Sequence, residues 1–103
     1  MTKKYSTPWE TGSLFICTKC GAKYNQPNLA EELKGDMRKD LKSREEHTKV
    51  RVITSGCLGV CYPEEQTFAY MPNEGKTEVY TTALEKNQAL SDIKEFVQKK
   101  INS

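Results

Sequence analysis

Two close pairs of cysteines constrain this chain more than any other feature. Cys17-Thr-Lys-Cys20 and Cys57-Leu-Gly-Val-Cys61 are separated by 36 residues, 21–56, in a chain of 103. Any fold must either keep the pairs apart as two small sites or bring them together across a helix-length segment. The start of the chain, Met1-Thr-Lys-Lys-Tyr-Ser-Thr-Pro8, lacks the apolar core of a secretory signal. No stretch reaches the roughly 18 apolar residues of a membrane span. The expected compartment is therefore the cytoplasm. There, paired thiols favour metal binding over structural disulfides. One domain with one modest core is expected from the length. With 36% hydrophobic and 29% charged residues, such a core gains from a metal staple.

The pattern of elements decides whether the pairs meet. Residues 1–11 read as a flexible N-terminal arm, polar except for Tyr5 and Trp9, and 12–103 as the folded domain. Ser13-Leu-Phe-Ile-Cys17 is a short apolar run and predicts a buried strand that stops at a turn-rich Cys17-Thr-Lys-Cys-Gly21. Leu29, Leu33, Met37 and Leu41 recur every four residues and form one helical stripe. Asn28 and Glu31 resemble an N-cap with its box partner, Gly35 is the weak point of the helix, and its end is expected to fray between Ser43 and Thr48. Lys49-Val-Arg-Val-Ile-Thr54 alternates as a second strand. Thr67–Met71 and Lys76–Tyr80 predict a hairpin about the turn Pro72-Asn-Glu-Gly75. A last helix runs from Glu85 to Ile101, with Ala89, Leu90, Ile93, Val97 and Ile101 on its apolar face and Phe96 beside it.

The order β-α-β-β-β-α predicts an α/β fold, a four-stranded mixed sheet with two helices in a minimal thioredoxin-like arrangement. The first βαβ unit should be parallel, because nearly all such crossovers are right-handed units of that kind. Parallel strands end on one edge of the sheet, and neighbours lie about 4.8 Å apart. Cys17 and Cys20 end the first strand, and Cys57 and Cys61 follow the second. The four thiols are thus expected at one rim, as ligands of one metal centre. Soft thiolates suit iron–sulfur clusters and zinc. Gly56, Gly59 and Gly21 permit tight turns and could direct N–H groups at sulfur.

The stretches Leu14-Phe-Ile-Cys17 and Val52-Ile-Thr-Ser-Gly-Cys-Leu-Gly-Val-Cys61, with the intervening helix, resemble the thioredoxin-like [2Fe–2S] ferredoxins. The likeness extends through the hairpin and terminal helix over roughly 12–101. It implies that Cys17, Cys20, Cys57 and Cys61 hold a [2Fe–2S] cluster and that the protein transfers single electrons to or from a redox partner protein; members of that family often form homodimers. The first cysteine pair is more closely spaced than is common in that family. The loaded site would contribute about −2 of charge, against a formal +2 for the chain.

Two other readings compete. Cys17-Thr-Lys-Cys-Gly21 resembles a zinc knuckle, and the second pair could complete a structural zinc module on four cysteines. The long intervening helix is unlike a zinc ribbon. A thioredoxin-type dithiol at Cys17 and Cys20 would fit the fold, but 21–27 is expected to delay the helix that such a motif opens, and Cys57 and Cys61 would have no role. Buried unliganded cysteines are a third, bland account, which explains two Gly-rich paired loops poorly. No nucleophile–base pair, phosphate loop or nucleotide fingerprint is recognisable, so independent catalysis is not expected. Sixteen basic residues are interleaved with fourteen acidic ones, which argues against nucleic acid. His47 reads as a solvated linker residue, and Lys19, Lys23, Glu64, Glu65 and Tyr62 as the rim of the site. Apolar groups on both sheet faces (Leu14 and Ile16 or Phe15, Phe68 and Tyr70 or Met71) predict that the face without helices is covered by a second copy or by the arm around Trp9.

Overall fold

A computed structural model describes residues 1–102. The chain runs β1 (Gly12–Cys17), α1 (Thr18–Ala22), α2 (Leu29–Ser43), β2 (Val50–Ser55), β3 (Glu65–Pro72), β4 (Glu78–Ala83) and α3 (Lys86–Ile101). The four strands form one mixed sheet in the order β2-β1-β3-β4. β1 and β2 are parallel, and β3 is antiparallel to both β1 and β4. This is the expected α/β architecture, with one helix more than the two anticipated. The extra element is α1, five residues in the segment read as a turn. Five residues are too few for an apolar period to show.

Both long helices pack on one face of the sheet. Leu29, Leu33, Met37 and Leu41 of α2 and Ala89, Ile93 and Val97 of α3 are buried against Leu14, Ile16, Val50, Val52, Phe68 and Tyr70. Phe96 seats α3 on the hairpin, its ring 5.3 Å from Phe68 and 4.9 Å from Tyr80 between centroids. The period-2 alternation of the strands turns Phe15, Ile53, Met71 and Val79 to the opposite face. Met71 is 41% exposed there and Val79 38%. The arm meets that face only at its β2 edge, where Trp9 shares a groove with Arg51 and Ile53. Residues 1–8 are exposed, and Trp9 stands half-buried beside edge strand β2. Closer to the domain, Glu10 and Thr11 donate their backbone N–H groups to Thr48 O and Lys49 O at 3.1 and 2.7 Å.

The helix ends differ from expectation in instructive ways. Asn28 makes no side-chain cap, and its backbone (φ −101°, ψ 4°) is outside the extended region where capping works. The turn before α2 is held instead by Leu29 N–H on Gln26 O at 3.1 Å. The side-chain cap belongs to α3, where Glu85 accepts from Asn87 N at 2.7 Å and Gln88 N at 3.1 Å. α2 stops sharply rather than fraying. Glu46 N–H reaches Leu41 O at 2.8 Å and Glu45 N–H reaches Lys42 O at 3.1 Å, with Glu45 left-handed at φ 57°. That is a Schellman closure with glutamate where glycine is usual.

Gly35, inside α2, has nothing within 4 Å of where a Cβ would stand. Gly35→Ala therefore gains helix propensity without a clash. A stabilisation of about 0.5–1 kcal/mol is expected in urea unfolding, and a loss of stability would show that the helix needs glycine for another reason.

Candidate metal centre

The parallel pairing of β1 with β2 positions the thiols. Cys17 lies opposite Ser55 in the register, so Cys57 follows two residues beyond the same edge from which Cys17 and Cys20 depart. Thr18 Oγ1 donates to Ser55 O at 3.0 Å and fastens the two strand ends together. Cys17 is the extended N-cap residue of α1 (φ −69°, ψ 125°), and Cys20 lies within that helix. Gly21 is required by packing and not by any contact to sulfur. A Cβ there would stand 2.5 Å from Gln26 O and 3.0 Å from Leu29 Cβ, where α1 folds back on the start of α2. The return passes through Asn25 in the left-handed region (φ 61°), with Gln26 N–H on Gly21 O at 2.9 Å.

The second pair sits on the loop between β2 and β3. Gly59 is left-handed at φ 84°, and its N–H lies 3.4 Å from Cys57 Sγ. The expected glycine-to-sulfur contact thus forms at Gly59. Gly56 has an ordinary φ. Thr67 Oγ1 holds the loop by donating to Val60 O at 2.9 Å. Gln66, fully buried, donates from Nε2 to Cys17 O and to Thr67 O, each at 2.8 Å. Neither Gln66 nor Thr67 was singled out from the sequence. The available signal was two polar residues entering the apolar strand before Phe68.

The pairs differ in exposure. Cys17 and Cys20 are 2% and 3% exposed, whereas Cys57 and Cys61 are exposed. Burial pushes the Cys17 thiol up, over the opposing backbone hydrogen bonds from Lys19 and Cys20, and the neighbouring Cys20 adds to the rise. Burial would also raise Cys20. Hydrogen bonds from Thr67 and Cys17 and the charge of Lys23 outweigh it, and the Cys20 thiol lies below its ordinary value. Lys23 is the cation of the site. Its Nζ stands 2.9 Å from Cys61 Sγ, and that hydrogen bond raises its own pKa, helped by the charges of Cys61, Cys20 and Cys57. Cys20, Lys23, Tyr24, Cys61, Tyr62 and Pro63 line a cleft of about 190 Å³. Tyr62 is 59% exposed on its wall and does not pack under the hairpin. Lys19 and Glu64 are exposed. Glu65 is engaged with the Thr81 hydroxyl. His47 lines a different groove, beside β2.

The four thiols therefore share one rim without sharing one coordination sphere. Among the described residues, no three His, Cys, Asp or Glu side chains stand close enough to hold a metal ion. The donor set still fits a thiolate-bound group. Four soft sulfurs come from two segments that end at the same edge, and unliganded thiolates repel one another. The Cys17–Cys20 motif does open a helix, contrary to expectation. It is nevertheless poorly poised for thiol exchange, which needs an accessible, low-pKa thiol. Its leading cysteine is buried and raised.

No family model matches the chain, and no curated protein or solved structure matches it either.

In metal-free, reduced protein, iodoacetamide is expected to label Cys57 and Cys61 on the order of tenfold or more faster than Cys17 and Cys20. The buried pair must wait for local opening. Peptide mass spectrometry of a partly labelled sample reads the order, and equal rates would contradict the burial described here.

Proposed function

We propose that this chain is a cytoplasmic one-electron carrier that holds a single [2Fe–2S] cluster on Cys17, Cys20, Cys57 and Cys61 and acts with a redox partner protein, without catalysis of its own. The observation that carries the reading is the parallel register of β1 and β2, Cys17 against Ser55, which delivers both thiol pairs to one rim. The resemblance of the Leu14–Cys17 and Val52–Cys61 stretches to the thioredoxin-like [2Fe–2S] ferredoxins supports iron–sulfur over zinc. No helix among the described residues is long and apolar enough to cross a membrane.

When bound, the cluster supplies a one-electron couple whose potential depends on hydrogen bonds to sulfur and on solvent exposure. The chain's own residues then set that environment. Gly59 N–H contacts Cys57 Sγ, Thr67 favours the thiolate form of Cys20, and Lys23 offsets thiolate charge at Cys61. Gln66 and Thr18 fix the strand ends from which the ligands project. The exposed Cys57–Cys61 side offers the approach for a partner. The open sheet face around Met71 and Val79 offers a second copy a place to pack, and sedimentation of the loaded protein separates dimer from monomer.

Anaerobic purification followed by iron, sulfide and zinc analysis, with an EPR spectrum of the reduced sample, tests the proposal. Iron and acid-labile sulfide in equal amounts, with the rhombic signal of a reduced two-iron centre, are expected. A colourless protein with stoichiometric zinc would replace the carrier by a structural module, and the absence of any bound metal would end the reading.

A further inference from the structure

A second site lies outside the cysteine rim, along edge strand β2. A groove of about 430 Å³ is lined by Trp9, Arg38, Lys42, His47, Arg51 and Ile53, with the backbone of β2 at its base and none of the cysteines in its wall. The cations in it lack close ion-pair partners. Among the described residues none of Arg38, Lys42, His47 or Arg51 forms an ion pair. The four acids of α2 make their ion pairs with other lysines and arginines: Glu31 with Lys34 at 2.6 Å, Glu32 and Asp36 with Lys86 at 3.9 and 3.4 Å, and Asp40 with Arg44 at 3.2 Å, while the charge of Arg38 still acts on Glu31.

Both arginines belong to the wall of the groove, and Arg38 is fixed there. Arg38 Nε donates to Val52 O at 2.9 Å, on the edge of β2 that no strand covers. Arg51 Nε is shielded from solvent and has no hydrogen-bond partner among the described residues. A shielded guanidinium donor without an acceptor is costly, by roughly 1–3 kcal/mol or more. Guanidiniums bind phosphate through paired N–H groups. Trp9 and Ile53 supply a flat aromatic wall and an apolar patch beside those cations. The volume lies within the roughly 300–1,000 Å³ of small-molecule sites.

The geometry points to a binding site for a mononucleotide, its phosphates on Arg38, Arg51 and Lys42 and its base against Trp9. The site is independent of whether the cysteines hold a cluster. An acidic peptide would satisfy the cations but would leave the aromatic wall without a role.

Trp9 is the only tryptophan of the chain, so its fluorescence reports the groove directly. Titration of the full chain at low salt with ATP, excited at 295 nm and repeated by calorimetry, is expected to quench Trp9 and saturate. Adenosine and inorganic pyrophosphate are each expected to bind at least tenfold more weakly than ATP. Arg38→Met with Arg51→Met should weaken ATP at least tenfold. Lys42→Glu, an exposed change that leaves the β2 contacts untouched, should weaken it severalfold with unchanged far-UV circular dichroism. Failure of ATP to saturate at millimolar concentration would overturn the proposal. So would pyrophosphate binding as tightly as ATP, Lys42→Glu leaving the affinity unchanged, or a hexaglutamate peptide outcompeting ATP.

Discussion

Changing Cys57 and Cys61 together to serine is expected to abolish iron binding while leaving the fold intact. Both side chains are exposed and make no part of the core. Exposed substitutions of this kind usually alter stability by no more than about 0.5 kcal/mol. Two of the four proposed ligands would nevertheless be lost, and the serine oxygens are poor replacements for soft thiolates. The purified double variant should carry less than about a tenth of the wild-type iron, show no visible chromophore, and match the metal-free wild type in far-UV circular dichroism and thermal midpoint. The equivalent change at Cys17 and Cys20 would be less informative, because those side chains are buried and their loss perturbs packing as well as ligation. Full retention of iron in the Cys57→Ser, Cys61→Ser protein would remove the second pair from the site and with it the convergence on which the carrier reading depends.

The largest effect on stability is expected at Leu33. Its side chain, in the second turn of α2, is fully buried in the layer shared by the sheet and α3. Leu33→Ala removes that contact and leaves a cavity, at a cost of about 3–5 kcal/mol. For a domain of this size the thermal midpoint should fall by roughly 4–8 °C for each kcal/mol. Differential scanning calorimetry of the metal-free protein measures the drop without interference from bound metal. A change below about 1 kcal/mol would mean that α2 is not seated on the sheet as described.

Much of the architecture was readable from side-chain period alone. The four-residue recurrence of Leu29, Leu33, Met37 and Leu41 marked α2 because only one face of that helix is buried. The alternation of Val50, Arg51, Val52 and Ile53 marked β2 for the corresponding reason in a strand. Local chemistry at the ends was less legible. Asn28 and Glu31 carry the sequence signature of a capping box, yet the chain enters α2 through a turn at Gln26 that keeps Asn28 out of the extended conformation. Glu45 closes α2 in the left-handed region, where sequence preference alone favours glycine or asparagine. The helical start at Thr18 and the closure of α1 through Asn25 depend on the close packing of Gly21 against Gln26 and Leu29, which is a contact between segments and has no local signature.

For the site, the amino-acid order by itself determined which side chains could ligate, their grouping in pairs, and the βαβ connection that carries both pairs to one edge. Those follow from residue chemistry, hydrophobic period and the handedness of crossovers, all of which are local or topological. Tertiary structure decided what depends on three-dimensional register. It set Cys17 opposite Ser55, sank one pair into the core and left the other in solvent. It also brought Lys23, Gln66 and Thr67 to the sulfurs and their strand ends from up to 49 residues away. Burial and charge–dipole contacts arise only when distant segments exclude water from one another, so no reading along a single segment contains them.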